Sequence, residues 1–388
     1  MKFLVLGAGK MGYAVAYDLI RGSKVEKVVV ADSSTENLKE LVKRLPDAKI
    51  IPVELDVTNE EELAQLMGEI DVAVSCITYK HNYELAKIAL ATKTHFVDLG
   101  GNEEIVAKEF MLDELAKEQG VTIIPDLGLA PGLVSLLAVS AAESFDEIYD
   151  IRLRVGGLPA NPDDCFMDYC QVFSIDGLIN EYNEDCTVLR DGKIFSVPSL
   201  SDNESIEFPR PFGTMEAFNT SGGISTLPQS YLGRVQHLDY KTIRYPGHCD
   251  AIHMLKELGM MSKEAVETAS GPVVPRDLLF KLLSDKLPKD EPDVVLVRVM
   301  VSGLKDKKPV QIVWDCIDYA DQAAGLTAMM RMTAFPASIV AQMIARGDIT
   351  ERGVLRQETT VPTKLFLAEM DGRGIRLQMT ERAPAHIK

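Results

Sequence analysis

The sequence predicts an α/β protein: a doubly wound parallel sheet of the Rossmann type, followed by a second α+β domain with a mostly antiparallel sheet. Two observations predict the first sheet. Short apolar runs alternate with helical patterns up to residue 126, and a glycine-rich loop follows the first run. The second sheet is predicted because long strands follow one another there without helical crossovers. Parallel strands need such crossovers, whereas antiparallel strands do not.

The first apolar run, KFLVL, leads directly into GAGKMG at residues 7–12, which opens an amphipathic helix over residues 10–21. This is the G-x-G-x-x-G pattern in the strand–loop–helix context of dinucleotide-binding proteins. The first glycine permits a tight turn, the second lets a pyrophosphate approach the backbone, and the third lets helix and strand pack closely. The helix N-terminus offers N–H groups and a positive dipole to phosphates. The residues assigned to pyrophosphate binding are Gly7, Gly9, Lys10, Met11 and Gly12.

A second apolar run ends in Asp32, at the spacing of about 20 residues that completes the dinucleotide fingerprint. A carboxylate there accepts hydrogen bonds from both ribose hydroxyls and repels a 2′-phosphate. The cofactor is therefore predicted to be NAD rather than NADP. The alternative is an ordinary glycine-rich turn with an exposed aspartate, and the register of all the parts argues against it.

The alternation of strands and helices continues along the chain. The strands predicted next cover residues 48–55, 71–77, 94–101 and 121–126. The helices predicted between them cover residues 58–70, 82–93 and 103–120. Thr58 or Asn59 caps the first of these helices, and Gly120 ends the last. Ligands of such sheets bind outside the carboxyl ends of the strands, so the residues that follow each strand are the candidates for a site.

Polar groups follow four of these strands. Asp56 and Val57 are placed to cover the adenine, and the segment that contains Ser75 and Thr78 should run along the pyrophosphate and the nicotinamide ribose. The acids expected to face the nicotinamide or the substrate are Asp98 and Asp126. For each single acid, a role as a helix cap or turn residue remains the alternative.

The second half begins with an apolar helix after Pro131, interpreted as the crossing into a second domain. A long apolar helix later contains Pro336, so a kink or break is expected there, and this helix is expected to return to the first domain. The Rossmann domain is therefore predicted to be discontinuous. The boundaries are residues 1–128 and about 323–360 for the Rossmann domain, 129–322 for a substrate-binding and dimerisation domain, and 361–388 for a C-terminal tail.

Two stretches of the second half carry convergent polar groups. EAFNTSGGISTL contains Thr220 and Ser221, and YKTIRYPGHCDAI contains Arg244 and His248. A guanidinium at the end of a strand can hold a carboxylate in bidentate geometry, and a histidine can exchange protons near neutral pH. The alternatives are a surface strand arginine and an ordinary residue at a helix N-terminus.

Composition excludes several classes of function. The formal net charge of −17 disfavours nucleic acid and anionic membrane surfaces as partners. No run reaches the ~20 apolar residues that a membrane span requires. The six cysteines form no C-x-x-C pair, so no metal site is predicted, and scattered thiols fit a cytoplasmic protein.

Six motifs together resemble one family: LGAGKMG, PDLGLAPG, RVGGLPANP, FSIDGLINEY, EAFNTSGG and KTIRYPGH. Over nearly the whole chain, the sequence resembles the saccharopine dehydrogenase-like oxidoreductases, and among them most closely the lysine 6-dehydrogenases. The resemblance implies a Rossmann domain, a second domain that binds an amino-acid substrate and forms a homodimer, and a helical segment that returns to the first domain. It also implies conversion of L-lysine, NAD⁺ and water to allysine, ammonia and NADH, with cyclisation of the product.

The candidate catalytic residues follow from this chemistry. Hydride must leave the ε-carbon of lysine, which requires a neutral amine, although the free amine has a pKa of ~10.4. A base or a desolvating pocket must therefore remove a proton. The candidates for holding the amine and moving protons are Asp126, Tyr79 and His248.

The candidate substrate-binding residues are expected to recognise the amino-acid end of lysine. Arg244 is the candidate for the α-carboxylate, with Thr220 and Ser221 assisting. Asp98 is expected to bind the α-ammonium or the nicotinamide ribose. The glutamate-forming saccharopine reductases usually use NADP and lack an acid at the position of Asp32, a departure that favours the lysine enzyme.

Two rival functions remain open at this point. One is a reductive condensation of an amine with a carbonyl compound, as in saccharopine or carboxynorspermidine dehydrogenases. The other is a non-catalytic NAD-binding sensor. The titratable groups of the crevice and the substrate-side motifs count against the sensor.

Overall fold

The computed structural model describes residues 1–289 and 291–384, and the chain divides into two units. Unit 1 consists of Met1–Ser140, Ser225–Ser230 and Met330–Ile375. Unit 2 consists of Ala141–Ile224, Tyr231–Met329 and the residues from Arg376 onward. The first unit thus extends to Ser140 and includes a short piece from the middle of the chain, which the sequence-based division does not contain.

The first 142 residues alternate between strands and helices. In chain order they are β1 (Lys2–Leu6), α1 (Lys10–Leu19), β2 (Lys27–Asp32), α2 (Thr35–Arg44), β3 (Ile50–Glu54), α3 (Glu60–Met67), β4 (Val72–Ser75), α4 (Asn82–Thr92), β5 (His95–Asp98), α5 (Glu103–Phe110), α6 (Asp113–Gln119), β6 (Thr122–Ile124) and α7 (Leu133–Ala142). A 3₁₀ turn, Tyr79–His81, precedes α4.

Long strands dominate the middle of the chain. In order the elements are β7 (Glu147–Pro159), α8 (Ile175–Asn183), β8 (Cys186–Arg190), β9 (Lys193–Val197), β10 (Glu204–Phe208), β11 (Gly213–Asn219), α9 (Leu227–Tyr231), β12 (His237–Arg244), α10 (His248–Glu257), β13 (Val266–Thr268), β14 (Gly271–Val273), α11 (Pro275–Lys286), β15 (Asp293–Lys305) and β16 (Lys308–Tyr319). A 3₁₀ turn, Phe166–Asp168, precedes α8.

The C-terminal part returns to helix. Its elements are α12 (Ala328–Arg346), β17 (Gly353–Val354), α13 (Gln357–Thr360), α14 (Thr363–Gly372) and β18 (Gln378–Arg382). Helix α12 continues through Pro336, so the break that is one of the two expected outcomes does not occur. The segment 361–388, expected to be a tail, contains a helix and a strand, and its residues 385–388 lie outside the described residues.

The sheet of unit 1 confirms the Rossmann prediction. Its seven strands lie in the order β17-β6-β5-β4-β1-β2-β3, and every pair is parallel. The strand order reverses beside β1, which is the switch point where doubly wound sheets bind ligands. Residues 3–6 of β1 and 72–74 of β4 are completely buried, as expected of central strands covered by helices on both faces.

The sheet of unit 2 confirms the mostly antiparallel prediction. Its main path runs β10-β11-β12-β7-β15-β16-β18, with β8 paired to β12 and β9 paired to β8. The pair β7–β12 is parallel, and the other pairs are antiparallel. β7 and β15 have 13 residues each, and together with β16 they form the long centre of the sheet.

Local signals in the sequence set several element boundaries. The Asn59 side chain accepts a hydrogen bond from the Glu62 N–H, which makes it the cap of α3. Gly120 ends α6 in the left-handed conformation with φ 70°, as the sequence predicts. The single helix expected over residues 103–120 is instead two helices, α5 and α6, with the turn between them at residues 111 and 112.

A buried polar cluster ties the C-terminal helices of unit 1 to α1. The Asp18 carboxylate is 3% exposed and accepts hydrogen bonds from Ser338 Oγ and from Arg373 Nε, each at 2.6 Å. Gln342 Nε2 adds a third bond at 3.3 Å. A buried carboxylate needs such partners, and these come from α12 and from the end of α14.

Candidate functional site

The glycine loop of unit 1 has the geometry that its sequence predicts. Gly7 has φ 101°, a conformation that favours glycine, and a Cβ on Gly12 would lie 1.8 Å from the Gly7 carbonyl oxygen. A Cβ on Gly9 would meet nothing within 4 Å, so the backbone there is open to a ligand. No side chain caps α1 at Gly9, and no acid occupies its first turn. The loop therefore fits an anionic group such as a pyrophosphate.

Asp32 lies at the end of β2, beside the glycine loop. Its Oδ2 accepts a hydrogen bond from the Ala8 N–H at 2.6 Å, and its Oδ1 accepts one from the Ser34 N–H at 2.7 Å. These bonds hold the carboxylate in place at the edge where the fingerprint puts the ribose. The exposed Asp56 and half-buried Val57 follow the neighbouring strand β3.

The Asp56 carboxylate is held locally. It accepts hydrogen bonds from the Thr58 N–H at 2.9 Å and from the Thr58 hydroxyl at 2.8 Å, and the backbone bond contributes most to lowering its pKa. This arrangement is the turn role given above as the alternative for each acid. Of the two residues predicted to cover the adenine, Val57 is the one that offers an apolar side chain.

A chain of buried hydrogen bonds connects the ends of β4 and β5. Ser75 Oγ donates to Asn82 Oδ1 at 2.8 Å, and Asn82 Nδ2 donates to Asp98 Oδ1 at 2.9 Å. The same Asp98 oxygen accepts from the Gly100 N–H at 2.7 Å and from the Asp126 N–H at 3.2 Å. Burial raises the pKa of Asp98 to about 6, against the opposing effect of these donors.

Asp126 follows β6 and takes the left-handed conformation, with φ 61°. Its Oδ1 accepts a long hydrogen bond from the Gly101 N–H at 3.4 Å, and a Cβ on Gly100 would lie 1.6 Å from that oxygen. The residue is 4% exposed, and burial raises its pKa to about 7 despite a hydrogen bond from Ser225. A carboxyl with such a pKa exchanges protons near neutral pH.

Tyr79 completes this group of predicted residues. Tyr79 follows β4 and is half-buried. Its ring lies against Gly101, since a Cβ on that glycine would be 3.1 Å from the ring atom Cδ1. Thr78, next to Tyr79, is exposed. The structure therefore brings Ser75, Tyr79, Asp98 and Asp126 to one edge of the sheet.

Two residues of this edge were missed by the sequence reasoning. Asn82, the first residue of α4, links Ser75 to Asp98, and Glu109 of α5 is completely buried next to Asp98. The sequence contains a signal for Glu109, because it is three residues after the buried Val106 and so on the same face of α5. An acid on the apolar face of a helix marks a buried polar contact.

The substrate-side candidate of unit 2 is Arg244 at the end of β12, which is 3% exposed. Its Nε donates to the Tyr182 hydroxyl at 2.9 Å, and its Nη1 donates to the Ile243 carbonyl at 2.9 Å. The guanidinium lies 4.8 Å from the centre of the Tyr169 ring. Among the described residues Nη2 has no hydrogen-bond acceptor, so this nitrogen can bind an anionic group.

His248 is held between two partners. The Tyr182 hydroxyl lies 3.0 Å from Nε2, and the Met167 carbonyl lies 3.1 Å from Nδ1. Because a carbonyl only accepts, Nδ1 carries the proton, and the tyrosine donates to Nε2 while it accepts from Arg244. Burial and then the nearby Arg244 charge lower the pKa of His248 to about 3.

The surroundings of His248 do not favour its predicted role in proton transfer. A histidine that is neutral and has both ring nitrogens engaged does not exchange protons near pH 7, so proton transfer by His248 is not supported by its surroundings. Its contacts instead fix the Tyr182 hydroxyl, which in turn orients Arg244. Tyr182 was missed, although Ile175, Leu178 and Tyr182 form one buried face of α8.

Thr220 and Ser221 lie in the loop after β11, and their hydroxyls are engaged within unit 2. The Thr220 and Thr242 hydroxyls are 2.6 Å apart, and the Ser221 hydroxyl donates to the Asn180 carbonyl at 3.4 Å. The Ser221 N–H donates to the Glu181 carbonyl at 3.1 Å. These bonds attach the loop to α8 and β12, the two elements that carry Tyr182 and Arg244.

Neither a membrane-spanning helix nor a metal-binding cluster occurs among the described residues. Within residues 1–289 and 291–384, no helix combines the length and the apolar character that crossing a membrane requires. The described part of the chain also holds no group of three or more His, Cys, Asp or Glu side chains that could bind a metal ion.

The parallel sheet, the glycine loop and the acid at the end of β2 define a dinucleotide-binding protein of the Rossmann class. Residues 3–124 match the family model of the saccharopine dehydrogenase NADP binding domain, and residues 128–375 match that of the saccharopine dehydrogenase C-terminal domain. The chain belongs to the saccharopine dehydrogenase family, and its N-terminal part is an NAD(P)-binding domain.

Curated relatives are distant in sequence. The chain is 26% identical over 304 residues to the NADP(+), L-glutamate-forming saccharopine dehydrogenase of Saccharomyces cerevisiae, covering 74% of this chain and 65% of that protein. It is 25% identical to the mitochondrial alpha-aminoadipic semialdehyde synthase of Bos taurus, covering 73% of this chain and 31% of that protein. The chain thus spans less than two thirds of the length of either protein. With carboxynorspermidine synthase of Vibrio cholerae it is 22% identical, over 99% and 98% of the two chains.

Solved structures share the fold. Apo saccharopine dehydrogenase (L-Glu forming) from Saccharomyces cerevisiae matches with a TM-score of 0.81 at 21% identity, covering 98% of this chain and 100% of that one. Homospermidine synthase from Legionella pneumophila, in complex with NAD, matches with a TM-score of 0.68 at 11% identity, covering 98% and 91%. The fold extends over almost the entire chain.

Proposed function

We propose that this protein is an NAD-dependent dehydrogenase that removes the ε-amine of L-lysine, giving allysine and ammonia. The allysine then cyclises to piperideine carboxylate. The observation that carries the proposal is the buried Asp126 carboxyl at the edge of the Rossmann sheet, whose pKa is raised to about 7. An amine dehydrogenase needs a base of this kind, because only a neutral amine can lose hydride from its carbon.

The preference for NAD is supported by Asp32. Its carboxylate is fixed by the Ala8 and Ser34 N–H groups at the ribose position of the fingerprint, where a 2′-phosphate would meet a like charge. When bound, NAD supplies the hydride acceptor. The glycine loop of α1 would hold its pyrophosphate, since a Cβ on Gly9 would meet nothing within 4 Å.

The proton chemistry is assigned to unit 1. The ε-ammonium of free lysine has a pKa of ~10.4, so a proton must be removed before hydride leaves. Asp126 accepts this proton when it is ionised, which requires a pH above its pKa of about 7. Tyr79, beside Gly101, is the candidate to orient the amine. After hydride loss the substrate is an iminium ion, and water adds to its carbon with release of a proton to solvent. Asp126 then returns its proton to the carbinolamine nitrogen, which leaves as ammonia.

Recognition of the amino-acid end is assigned to unit 2. Arg244 is proposed to bind the α-carboxylate through Nη2, while Tyr182 fixes its Nε. Thr220 and Ser221 are proposed to hold the neighbouring loop, because their hydroxyls are engaged by protein groups. Asp98 is proposed to raise the pKa of Asp126 through its negative charge instead of binding the α-ammonium. Its Oδ1 already accepts hydrogen bonds from three N–H groups.

A second candidate function is a reductive condensation of an amine with a carbonyl compound. The observation that favours it is the match to carboxynorspermidine synthase over 99% of this chain and 98% of that protein. The same arginine would then bind the carboxylate of one of the two reactants.

The expected homodimer and the expected cytoplasmic location stay predictions. Light scattering by the purified protein would check the homodimer.

The deciding experiment is a substrate screen with the purified chain. NADH formation is measured with lysine, ornithine, saccharopine and diamines, each with NAD and with NADP. Lysine with NAD should give the highest kcat/KM. In the reverse direction, NADH oxidation by allysine with ammonia supports the proposal, whereas oxidation by allysine with glutamate supports the condensation. NAD binding without turnover of any amine would indicate a sensor.

A further inference from the structure

Glu109 is the most deeply buried acid that the proposed chemistry does not use. It lies on α5 with none of its surface exposed. Among the described residues, neither of its carboxyl oxygens has a hydrogen-bond donor, and neither does Asp98 Oδ2. The two carboxyl groups are close enough for each to alter the pKa of the other. Two buried carboxylates this close would repel, so one of the two acids is expected to carry a proton.

The hydrogen bonds identify which acid carries the proton. Asp98 Oδ1 accepts from Asn82 Nδ2 and from the N–H groups of Gly100 and Asp126, which favours an ionised Asp98. Among the described residues, no N–H group points at Glu109. The charged groups that act on Glu109 are Asp98 from β5 and Asp126 from the segment after β6, and both are acids. Burial first, and then Asp98, raise the pKa of Glu109 to about 11.

We propose that Glu109 is a positioning residue: a neutral carboxylic acid that donates its proton to Asp98 Oδ2 and thereby keeps Asp98 ionised beside Asp126. The proton stays on Glu109, and no bond to it breaks during turnover. The negative charge of Asp98 opposes ionisation of Asp126, as does that of Glu103. Glu109 thus helps to set the pH at which Asp126 gains its proton. A contribution of Glu109 to catalysis rests on the proposed role of Asp126. The neutral state of Glu109 is independent of that role.

The first test uses E109Q, whose amide can still donate to Asp98 Oδ2 but cannot titrate. An acid with a raised pKa in the folded state stabilises the protein most below its unfolded pKa, and that contribution is lost as the pH rises toward the folded pKa. Wild type should therefore lose stability relative to E109Q between pH 5 and pH 9. The difference in Tm, E109Q minus wild type, should rise steadily over this range. A difference that stays constant would overturn the proposal, because it would mean that Glu109 ionises normally.

The second test does not require a variant to fold. Wild-type protein is labelled with ¹³C at the glutamate side-chain carboxyl and examined by NMR at pH 9. One resonance should keep the chemical shift of a neutral carboxyl. The other glutamate with a raised pKa, the half-buried Glu181, has a pKa of about 7 and is ionised at pH 9. If every glutamate signal has the shift of a carboxylate at that pH, the proposal is wrong.

The third test reads the effect on Asp126 directly. In protein labelled at the aspartate carboxyl carbon, the titration midpoint of Asp126 is compared among wild type, E109Q and E109L. E109L removes the donor to Asp98 Oδ2, so Asp98 takes up a proton itself, and the Asp126 midpoint should fall by about one pH unit. E109Q should leave it unchanged. Equal midpoints in all three proteins would reduce Glu109 to a packing residue. Because no substrate is used, this result is separate from the fate of the proposed lysine activity.

Discussion

The polar residues at the sheet edge of unit 1 and those around Arg244 in unit 2 are buried to a similar degree, but they carry opposite kinds of charge. In unit 1, Asp98, Glu109 and Asp126 are all acids, and burial raises their pKa values to about 6, 11 and 7. In unit 2, a permanent cation lies among aromatic rings, beside a histidine whose pKa burial lowers to about 3.

The difference shows how burial prepares each region for a different task. Burial disfavours charge, and an acid can respond by holding its proton up to neutral pH, which makes it available for proton exchange. An arginine cannot respond in this way, so it keeps its charge and needs neutral partners or an anion. Tyr182 and the Ile243 carbonyl supply neutral hydrogen-bond partners to Arg244, and the half-buried Glu181 carboxyl acts on it electrostatically. Unit 1 is therefore suited to moving protons, and unit 2 to binding an anion.

The largest expected effect comes from D126N. Asparagine adopts the left-handed conformation of residue 126 more readily than most residues, and its Oδ1 can still accept from the Gly101 N–H. The fold should therefore persist, while kcat/KM for lysine falls roughly 100- to 10,000-fold through loss of the base. In wild type, activity should rise with pH through about 7, where Asp126 ionises.

The pH profile of D126N sharpens the comparison. Its residual activity should lack the rise near pH 7, because asparagine does not titrate. If the activity of D126N still rises near pH 7, a group other than Asp126 causes that rise. Full turnover by D126N would leave Asp126 a structural role only and would remove the functional contrast between the two regions.

The next largest effect is expected for R244A. Removing one partner of a buried, hydrogen-bonded charge pair costs about 3 kcal/mol, which corresponds to roughly a 100-fold loss in kcat/KM, chiefly through a higher KM for lysine. R244K keeps the charge but lacks the planar guanidinium that Tyr182 and the Ile243 carbonyl hold in place, so it should lie between R244A and wild type. Steady-state kinetics of the three proteins measures both effects.

A substrate without a carboxylate provides the control for Arg244. 1,5-Diaminopentane has the amine of lysine but not its carboxylate, so any turnover of this diamine should be nearly the same in R244A and wild type. If R244A weakens both substrates equally, the arginine supports the fold of unit 2 and does not bind the carboxylate. An unchanged KM for lysine would place carboxylate binding elsewhere.

The fold was largely predictable because its signals are local and repeated. The alternation of apolar strands and helices, together with the loop at residues 7–12, predicts the parallel sheet. β17 was not predicted, because a strand of two residues has no period, and neither was β18, all of whose residues are exposed. The unbroken helix at Pro336 shows buried packing overriding a local rule, since Ala334 and Ala337, on either side, are fully buried.

The candidate site was predictable only in part. Asp98 and Arg244 end strands and Asp126 follows one, and position along the chain is sufficient to find such residues. Glu109 and Tyr182 lie on helices, and their function depends on which side chains the tertiary fold places against them. The same limit applies to His248: its sequence position suggests a proton carrier, whereas its two partners and its burial favour a fixed neutral ring.

The smallest effect is expected for D32N, which tests whether unit 1 selects its cofactor by charge. Removing the carboxylate removes repulsion of a 2′-phosphate, so the ratio of kcat/KM for NADP to that for NAD should rise about 10-fold. D56N is the matched control: its acid lies on the same edge but is held by Thr58, and the ratio should stay at the wild-type value. If both variants shift the ratio equally, the selection comes from the summed negative potential of the edge, and the fixed geometry of Asp32 would not be its cause.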